Sequence, residues 1–406
     1  MISVEEALRI LRAHLPAPGV ETVDFRSSLG RVLAEDLLAN SDIPPFDRCA
    51  MDGYAVRADD TRPAPVELPV AGESRAGGGM PGSLAPGRAV SIMTGAPVPP
   101  GADAVVVVEQ CRTAADKSRV AILEPVSCGD NIAPRGCEAR AGEPVLRKGH
   151  RVGPAEIAVM ATFGYARVDV YRKPTVAILA TGDELVEVDR QPRPDQIRNS
   201  NAYCLAAQLE LLGFPSDYLG IARDTREDLH RKVAAGLERD ILIITGGVSM
   251  GEYDLVRDVF RDFDLEILFN KVSIRPGKPT VFARKGDRLV FGLPGNPISA
   301  LITFECFVRP VLGRLCGMMS PELPRMKGEL LRDVRQAPGR TAFLPAWVSW
   351  REDGWVVDPL PWKSSADIIG FTGANAAYIF PKHLDRMGRG EKVEIMFLPD
   401  FFVRQR

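Results

Sequence analysis

The chain has 406 residues, with 51 basic and 53 acidic side chains and a formal net charge of −2. This length exceeds what one hydrophobic core usually serves, so we expect three or four compact units. The balanced charge excludes a general electrostatic attraction to nucleic acid or to an anionic membrane, and no run of about eighteen apolar residues could span a bilayer. Seven scattered cysteines without a C-x-x-C spacing predict reduced thiols and a cytoplasmic location.

The N-terminal segment has helical periodicity. Two runs, VEEALRILRAHL and SSLGRVLAEDLLA, are separated by Pro16, Pro18 and Gly19, and Ser3 with Glu6 predicts a capping box at the first helix. A third helical run, VGPAEIAVMATFG, follows much later. We therefore expect residues 1–43 with 143–174 to form a helical linking region.

Residues 44–142 have a different pattern. Short apolar runs are separated by Gly and Pro clusters, as in YAVRA, VELPVAG, AVSIM, AVVVVEQ and RVAILEPV. Such runs are typical of strands joined by tight turns, which predicts a small β domain inserted between the helical segments.

The remaining chain predicts an α/β domain followed by a second β domain. In residues 175–325, strands such as TVAILAT and ILIIT alternate with helices, which indicates a doubly wound and mostly parallel sheet. Residues 326–406 read as short strands and turns, as in FLPAWVSW and KVEIMFLP, and predict a barrel-like domain. The fold class is thus multidomain α/β and β.

Glycines and carboxylates follow two strands of the predicted parallel sheet. Thr181-Gly182-Asp183-Glu184 follows one, and the run TGGVSMGEYD, which begins at Thr245, follows the other. Ligands bind beyond the carboxyl ends of such strands, where glycines let backbone N–H groups approach a phosphate. A carboxylate beside phosphate requires a hard cation between them, so we predict Mg²⁺ near Asp183, Glu184, Asp224 and Asp254. Helix capping is the alternative for Asp224 and Asp254.

Cations and further turns complete the candidate site. Lys271, Arg275 and Lys278 lie in the segment KVSIRPGKP, where a Pro-Gly turn would hold them for an oxyanion, unless they form only a solvated basic turn. The segment LPGNP, with Pro294, Gly295 and Asn296, is either a phosphate contact or a simple helix start. The turns MDGYA and MTGAP could equally be ordinary hairpin turns.

Other enzyme classes lack their motifs here. The four histidines show no metal-ligand spacing and no Ser-His-Asp elbow is present, which argues against zinc hydrolysis and serine acylation. A G-x-G-x-x-G fingerprint after a strand is also absent, which argues against a dinucleotide-dependent oxidoreductase.

Long motifs along nearly the whole chain resemble one family. PPFDRCAMDGYAV, MTGAPVPPGADAVVVVEQ, LATGDEL, TGGVSMGEYD, RPGKP, LPGNPISA and KSSADIIGFTGANAAYIFP are similar to motifs of the molybdopterin molybdenumtransferases, the MoeA and gephyrin E-domain family. The resemblance implies an elongated homodimer of four-domain subunits, with a central domain like that of the molybdopterin adenylyltransferases. It also implies the reaction, which is Mg²⁺-dependent insertion of molybdate into adenylylated molybdopterin with release of AMP. Implied protein partners are the adenylyltransferase and the enzymes that accept the cofactor.

The resemblance also implies roles for individual residues. Those implied to be catalytic are Asp52, Thr94, Glu184, Lys271 and Arg275, with Asp52 and Thr94 facing the partner subunit's central domain. Metal ligands would be Glu184, Asp224, Asp254 and Glu138. Residues expected to bind the substrate are Thr181, Gly182, Asp183, Asp224, Gly246, Gly247, Ser249, Gly251, Asp254, Lys278, Pro294, Gly295, Asn296 and Ser365.

Two residues depart from the family pattern, and two other functions stay open. Glu138 stands where relatives often have aspartate, and Arg275 where some have lysine, so both keep the charge. A molybdopterin adenylyltransferase would share the TGGVSMGEYD domain, although the MDGYA and MTGAP domain favours insertion. A non-catalytic molybdopterin-binding scaffold is the other alternative.

Overall fold

A computed structural model describes residues 1–247, 255–399 and 401 of the chain. The chain divides into two compact units, one of Val23–Val168 and one of Met1–Thr22 with Asp169–Arg406. It passes from one unit to the other within two strands, Val20–Asp24 and Arg167–Tyr171. Within the described residues, no helix combines the length and the apolar character needed to cross a membrane.

The unit Val23–Val168 is built on a six-stranded mixed sheet, which confirms the predicted β domain. The strands lie in the order Ala104–Val107, Gly53–Val56, Ala89–Ile92, Val66–Ser74, Arg119–Ile122 and Cys111–Thr113. Their apolar side chains are buried in two clusters. Outside this sheet, the pair Arg48–Cys49 and Ile132–Ala133 holds the PPFDRCAMDG segment in place, and the predicted helix Pro154–Thr162 is present.

The helix predicted for SSLGRVLAEDLLA is wrong. Only a short 3₁₀ turn, Phe25–Ser28, forms there, and the chain then runs extended beside residues 142–152, where Leu37–Leu38 pairs with Pro144–Leu146. Gly30 has a φ of +77°, a left-handed conformation that ends a helix. The backbone groups that a helix would use are bonded to the neighbouring segment instead, so tertiary pairing overrides local propensity.

The central domain of the second unit is the predicted doubly wound sheet. Four parallel strands are followed by two that are joined by antiparallel pairing, in the order Ser216–Ala222, Val176–Thr181, Ile241–Thr245, Arg288–Leu293, Val281–Lys285 and Glu266–Phe269. Every residue of Val176–Thr181 and Ile241–Thr245 is buried, as expected for strands covered on both faces.

Helices cover both faces of this sheet. One apolar cluster packs the helices Val4–Ala13, Asn201–Leu211 and Pro297–Thr303 on one face, and the last of these continues through a π-helical turn, Phe304–Val308, into Arg309–Leu315. Another cluster packs Arg226–Gly236 and Leu255–Asp262 on the opposite face. At the first helix, Ser3 accepts a hydrogen bond from the Glu6 amide at 3.1 Å, as predicted.

A half-buried carboxylate organises the amino-terminal edge of the sheet. Asp240 accepts hydrogen bonds from the Thr175 amide at 2.7 Å, from the Arg172 guanidinium at 2.9 and 3.1 Å, and from Arg288 at 3.0 Å. Burial opposes ionisation of Asp240, but the hydrogen bonds from Arg172 and Thr175 outweigh it and lower the pKa to about 2. The carboxylate thus ties together the starts of three strands.

The C-terminal domain is a closed five-stranded barrel, which confirms the prediction. The strands follow one another in the order Thr341–Arg351, Gly354–Pro359, Arg325–Leu330, Lys392–Phe397 and Ala376–Phe380, and the last pairs back onto the first. Smaller elements are the strand pair Val334–Arg335 and Arg386–Met387 and the helical turn Ile368–Phe371.

The strand predicted over ILFNKVSI is broken. Glu266–Phe269 belongs to the central sheet, whereas Ile274–Arg275 pairs in parallel with Thr341–Ala342 of the barrel. Between them, Val272 forms a bridge with Ile2. Pairing with a barrel strand that is distant in sequence therefore fixes the backbone at Arg275. The four domain boundaries given above stay a prediction.

Candidate active site

The loops after the four parallel strands meet at the carboxyl edge of the central sheet. The Gly182 amide donates to the Ala222 carbonyl at 3.3 Å, and the Gly246 amide donates to the Leu293 carbonyl at 3.2 Å. These bonds place the loops TGDEL, RDT, TGG and LPGN side by side. The predicted substrate residues Thr181, Gly182, Asp183, Asp224, Gly246, Gly247, Pro294, Gly295 and Asn296 all lie in these loops.

Asp183 and Asp224 form a reciprocal pair. The Asp224 amide donates to the Asp183 carboxylate at 3.1 Å, and the Asp183 amide donates to the Asp224 carboxylate at 3.4 Å. Capping, the alternative for Asp224, is not its role, because Thr225 caps the helix Arg226–Gly236 by accepting from the Asp228 amide. Two exposed carboxylates are thus held close together, and no cationic side chain among the described residues pairs with either of them.

Glycines are required where the loops pack on Thr181. Gly246 has a φ of +87°, and a β-carbon there would lie 2.4 Å from the Thr181 carbonyl oxygen. A β-carbon on Gly247 would lie 2.4 Å from the Thr181 hydroxyl. The Glu184 carboxylate folds over Gly182, where an added β-carbon would lie 2.3 Å from it. Only glycine at positions 246 and 247 therefore lets the TGG loop approach the TGDEL loop so closely.

A cavity of about 210 Å³ lies among these loops. Its walls include Thr181, Glu184, Thr245 and Asn296, together with residues of the segment 185–201, which carries the parallel pair Leu185–Val186 and Ile197–Arg198. Asn201, at the start of a helix, also lines it and was not predicted. The polar run NSN could have indicated Asn201, because it follows a strand. That strand, Ile197–Arg198, is only two residues long, and the sequence pattern does not reveal it.

A larger cleft of about 730 Å³ lies next to this cavity and is lined by four cations, Arg275, Lys278, Arg340 and Lys363. None of the four is paired with a described carboxylate; Arg275 donates instead to the neutral Gln336 side chain at 2.7 Å. Burial, together with the nearby Arg275, lowers the pKa of Arg340 below its ordinary value. Unpaired cations that repel one another define an anion site.

The cavity and the cleft share Gly295 and Asn296. The Asn296 side chain donates to the Ser365 hydroxyl at 2.7 Å, and the Ile298 amide donates to the Ser365 carbonyl at 3.1 Å. Ser365 therefore lies where the LPGNP loop and the C-terminal KSSAD segment meet, and it lines the cleft as expected. Arg340 and Lys363 were missed because each is far in sequence from the RPGKP loop.

Lys271 does not line the cleft. Its side chain is exposed, and its carbonyl accepts a hydrogen bond from the Ile2 amide at 3.2 Å. The oxyanion role of Lys271 stays a prediction. Ser249, Gly251 and Asp254 lie outside the described residues.

In the unit Val23–Val168, the two predicted turns form one structure. The Asp52 carboxylate accepts from the Thr94 amide at 2.7 Å and from the Thr94 hydroxyl at 2.8 Å, and these bonds lower the pKa of Asp52 below its ordinary value. Glu138 forms an ion pair with Arg48 at 2.8 Å, so a described cation already neutralises it. Among the described residues, no cluster of three His, Cys, Asp or Glu side chains could hold a metal ion.

Comparison with known proteins covers almost the whole chain. Three family profiles match, described as the MoeA N-terminal region (domain I and II) at residues 2–164, a probable molybdopterin binding domain at 177–314 and the MoeA C-terminal region (domain IV) at 327–398. Molybdopterin molybdenumtransferase of Bacillus subtilis is 38% identical over 98% of this chain and 94% of that protein. The corresponding protein of Staphylococcus epidermidis is 35% identical over 97% and 95%.

A solved structure has the same fold. The molybdopterin biosynthesis MoeA protein of Pyrococcus horikoshii OT3 is 31% identical, with a TM-score of 0.83 over 98% of this chain and all of that one (100%). The fold, the paired loops and these relatives define a transferase of molybdenum cofactor biosynthesis. The chain belongs to the molybdopterin molybdenumtransferase family.

Proposed function

We propose that the chain inserts molybdate into adenylylated molybdopterin in a Mg²⁺-dependent reaction that releases AMP. One observation carries the proposal, which is that the cation-lined cleft adjoins a cavity lined by the carboxylate of Glu184 and that both include Gly295 and Asn296. A substrate with a pyrophosphate and a separate oxyanion needs two such compartments side by side.

The cleft suits molybdate. Molybdate is a tetrahedral dianion, and Arg275, Lys278, Arg340 and Lys363 supply positive charge there, with Asp367 offsetting part of the charge of Lys363. Guanidinium groups bind two oxygens of an oxyanion at once, and hydroxyls such as that of Ser365 add further donors. We infer that Arg275 and Lys278 act here with Arg340, which the sequence motifs did not include.

The paired carboxylates suit Mg²⁺. This ion usually takes one or two protein carboxylates and completes its shell with water and substrate phosphates. Asp183 and Asp224 meet that requirement, since their backbone amides hold the two carboxylates together, and Glu184 follows Asp183 on the same loop. Magnesium bound there would neutralise charge on the pyrophosphate as it is cleaved.

The proposal includes further predictions from the sequence. We infer a cytoplasmic homodimer in which Asp52 and Thr94 complete the partner copy's site. The direct bond between Asp52 and Thr94 supports their acting as one unit. Glu138 is a weaker metal ligand than the sequence suggests, because Arg48 already pairs with it.

The test is AMP release from adenylylated molybdopterin by the purified protein with Mg²⁺, with and without molybdate, while active cofactor is assayed in parallel. Molybdate-dependent AMP release with active cofactor supports the proposal. Binding without release favours a scaffold, and synthesis of adenylylated molybdopterin from ATP favours an adenylyltransferase.

A further inference from the structure

The Gln336 side chain holds a cation of the 730 Å³ cleft in place. Arg275 donates from its guanidinium to the Gln336 side-chain oxygen at 2.7 Å, and both residues line the cleft. A guanidinium can only donate, so the amide atom that faces it must be the oxygen. The orientation of the amide is therefore fixed, and the NH₂ group of Gln336 has no hydrogen-bond partner among the described residues.

A neutral partner leaves the charge of Arg275 available to a ligand. A carboxylate in the place of this amide would form an ion pair with Arg275 and offset the charge that attracts an oxyanion. The amide orients the guanidinium without neutralising it. In agreement with this, burial and the nearby Arg275 lower the pKa of Arg340, another cation of the cleft. Gln336 therefore positions a cation that keeps its charge.

Acidic side chains are absent from the wall of the cleft. Among the described residues that line it, none is an aspartate or a glutamate. Asp367, which offsets part of the charge of Lys363, lies outside this wall, and its carboxylate accepts from the backbone amides of Lys363 and Gly370, each at 3.0 Å. The described lining side chains therefore offer no charged acceptor to a ligand.

The hydroxyl groups of the wall can act as donors. The Ser364 oxygen accepts from the Ala366 amide at 3.2 Å, and the Ser365 oxygen accepts from the Asn296 side chain at 2.7 Å. Each hydroxyl can therefore donate its own proton to a ligand. Together with the four cations and the NH₂ group of Gln336, these hydroxyls make the polar side chains of the wall mostly donors.

Such a wall discriminates between tetrahedral oxyanions by their protons. Molybdate and sulfate carry no proton at neutral pH, whereas inorganic phosphate keeps at least one. In the cleft, the P–OH group of phosphate would lose its hydrogen bond to water and find no carboxylate to replace it. A donor that is left unsatisfied lowers the affinity of a ligand.

We propose that Gln336 is a specificity-determining residue that makes the cleft select fully deprotonated tetrahedral dianions over phosphate. Its oxygen orients Arg275, and its NH₂ group donates to the oxyanion. This inference rests on the proposed function, because it takes the cleft to be the molybdate site. Phosphate is the anion that such a site has to exclude, since it has the same tetrahedral shape and a similar charge.

The test is calorimetric titration of the full chain and of Gln336→Glu with molybdate, sulfate and inorganic phosphate at neutral pH. The wild type should bind molybdate about tenfold or more tightly than phosphate. In Gln336→Glu, the new carboxylate repels a dianion without a proton but accepts the proton of phosphate. The affinities for molybdate and sulfate should therefore fall, and the ratio of molybdate to phosphate affinity should decrease about tenfold.

Gln191→Glu is the matched control. Gln191 is exposed, accepts from the Arg198 guanidinium at 3.4 Å and is not among the residues that line the cleft. The substitution makes the same chemical change beside an arginine and the same change in net charge. The ratio of molybdate to phosphate affinity should stay as in the wild type.

Gln336→Met and thermal unfolding separate selectivity from a structural role. Methionine is similar in length but has no amide, so this variant should weaken the binding of all three anions by a similar factor. Gln336→Glu should melt no lower than the wild type, because its carboxylate can pair with Arg275. A residue that only supports the fold would instead give lower melting temperatures in both variants and an unchanged ratio of affinities in Gln336→Glu.

Three results would overturn the inference. These are equal binding of molybdate and phosphate by the wild type, an unchanged ratio of affinities in Gln336→Glu, or an equal change of that ratio in Gln191→Glu. Absence of molybdate binding to the wild type would remove both this inference and the assignment of the cleft to molybdate. Failure of AMP release with the anion selectivity intact would count against the proposed reaction alone.

Discussion

Thr94 donates to the Asp52 carboxylate twice, through its amide and its hydroxyl, and these bonds lower the pKa of Asp52 below its ordinary value. The same principle, a carboxylate held by backbone N–H groups, organises Asp183 and Asp224. At these positions a neighbouring residue orients the functional group.

Replacing Thr94 by valine should make the enzyme more sensitive to acid. The hydroxyl bond is lost while the amide bond remains, so the pKa of Asp52 rises toward its ordinary value and the acid limb of the activity profile moves to higher pH. AMP release measured from about pH 4 to about pH 8 tests this. Thr94→Ser keeps the hydroxyl and serves as the control; an identical acid limb in Thr94→Val would exclude Asp52 as the titrating group.

Arg340→Gln should raise the KM for molybdate about tenfold or more, because a charge-assisted contact to the oxyanion is lost. Without molybdate the same variant should melt no lower than the wild type, since Arg340 is repelled by Arg275. Arg335→Gln is the control, because Arg335 is exposed and does not line the cleft. A KM equal to that of the wild type would remove Arg340 from the molybdate site.

The sequence patterns predicted the loops of the candidate site but not the residues that come from distant parts of the chain. Residues after strand ends were predictable, because parallel strands bring their carboxyl ends to one edge. Arg340 was not predictable, because its position depends on the pairing of Ile274–Arg275 with Thr341–Ala342. A two-residue pairing leaves no periodic signal in the sequence. Likewise, Thr225 and Asp224 are adjacent potential caps, and only the backbone conformation decides between them.

At the scale of elements, the close approach of two turns depends on glycine. Gly246→Ala should lower the free energy of unfolding by about 2–4 kcal/mol, from the left-handed φ and from contact with the Thr181 carbonyl. Gly286→Ala is the control, because Gly286 has a φ of +56° and nothing within 4 Å of an added β-carbon. The Gly286→Ala variant should lower the free energy of unfolding by only about 1 kcal/mol. Equal losses in urea unfolding would mean that the Thr181 contact contributes nothing.

The amino-terminal edge of the central sheet should depend on pH through Asp240. Its folded pKa of about 2 lies below the ordinary value of 3.8, so the carboxylate stabilises the fold above the ordinary value, and this contribution is lost as the pH falls toward the folded pKa. Asp240→Asn should therefore lower the melting temperature at neutral pH. The difference from the wild type should shrink on acidification below about pH 4; a difference independent of pH would argue against the ion pairs with Arg172 and Arg288.

Element prediction succeeded where periodicity and packing agreed. The buried strand Ile241–Thr245 and the helix Val4–Ala13 are examples. It failed for SSLGRVLAEDLLA, where the leucine and alanine content favours a helix but Gly30 and the pairing with residues 142–152 impose an extended chain. Propensity alone cannot reveal a partner segment more than a hundred residues away.

At the scale of the whole molecule, the proposed homodimer can be tested by mixing two inactive variants. If Asp52 completes the partner copy's site, a dimer of Asp52→Ala with Glu184→Ala contains one intact site. Equal mixing and exchange should then restore about a quarter of wild-type activity, since half the dimers are mixed and half their sites are intact. Each variant alone is the control; no recovery in dimers verified as mixed would place both residues in one subunit's site.

Closure of the C-terminal barrel limits how another protein could recognise that domain. A closed sheet offers no free strand edge, so a peptide cannot bind by adding a further strand to the five that form the barrel. At the start of Thr341–Arg351, the main-chain hydrogen-bonding groups are likewise paired, with Ile274–Arg275. Any protein that binds this domain would therefore have to recognise side chains on the barrel's outer surface, where specificity can change without altering the fold.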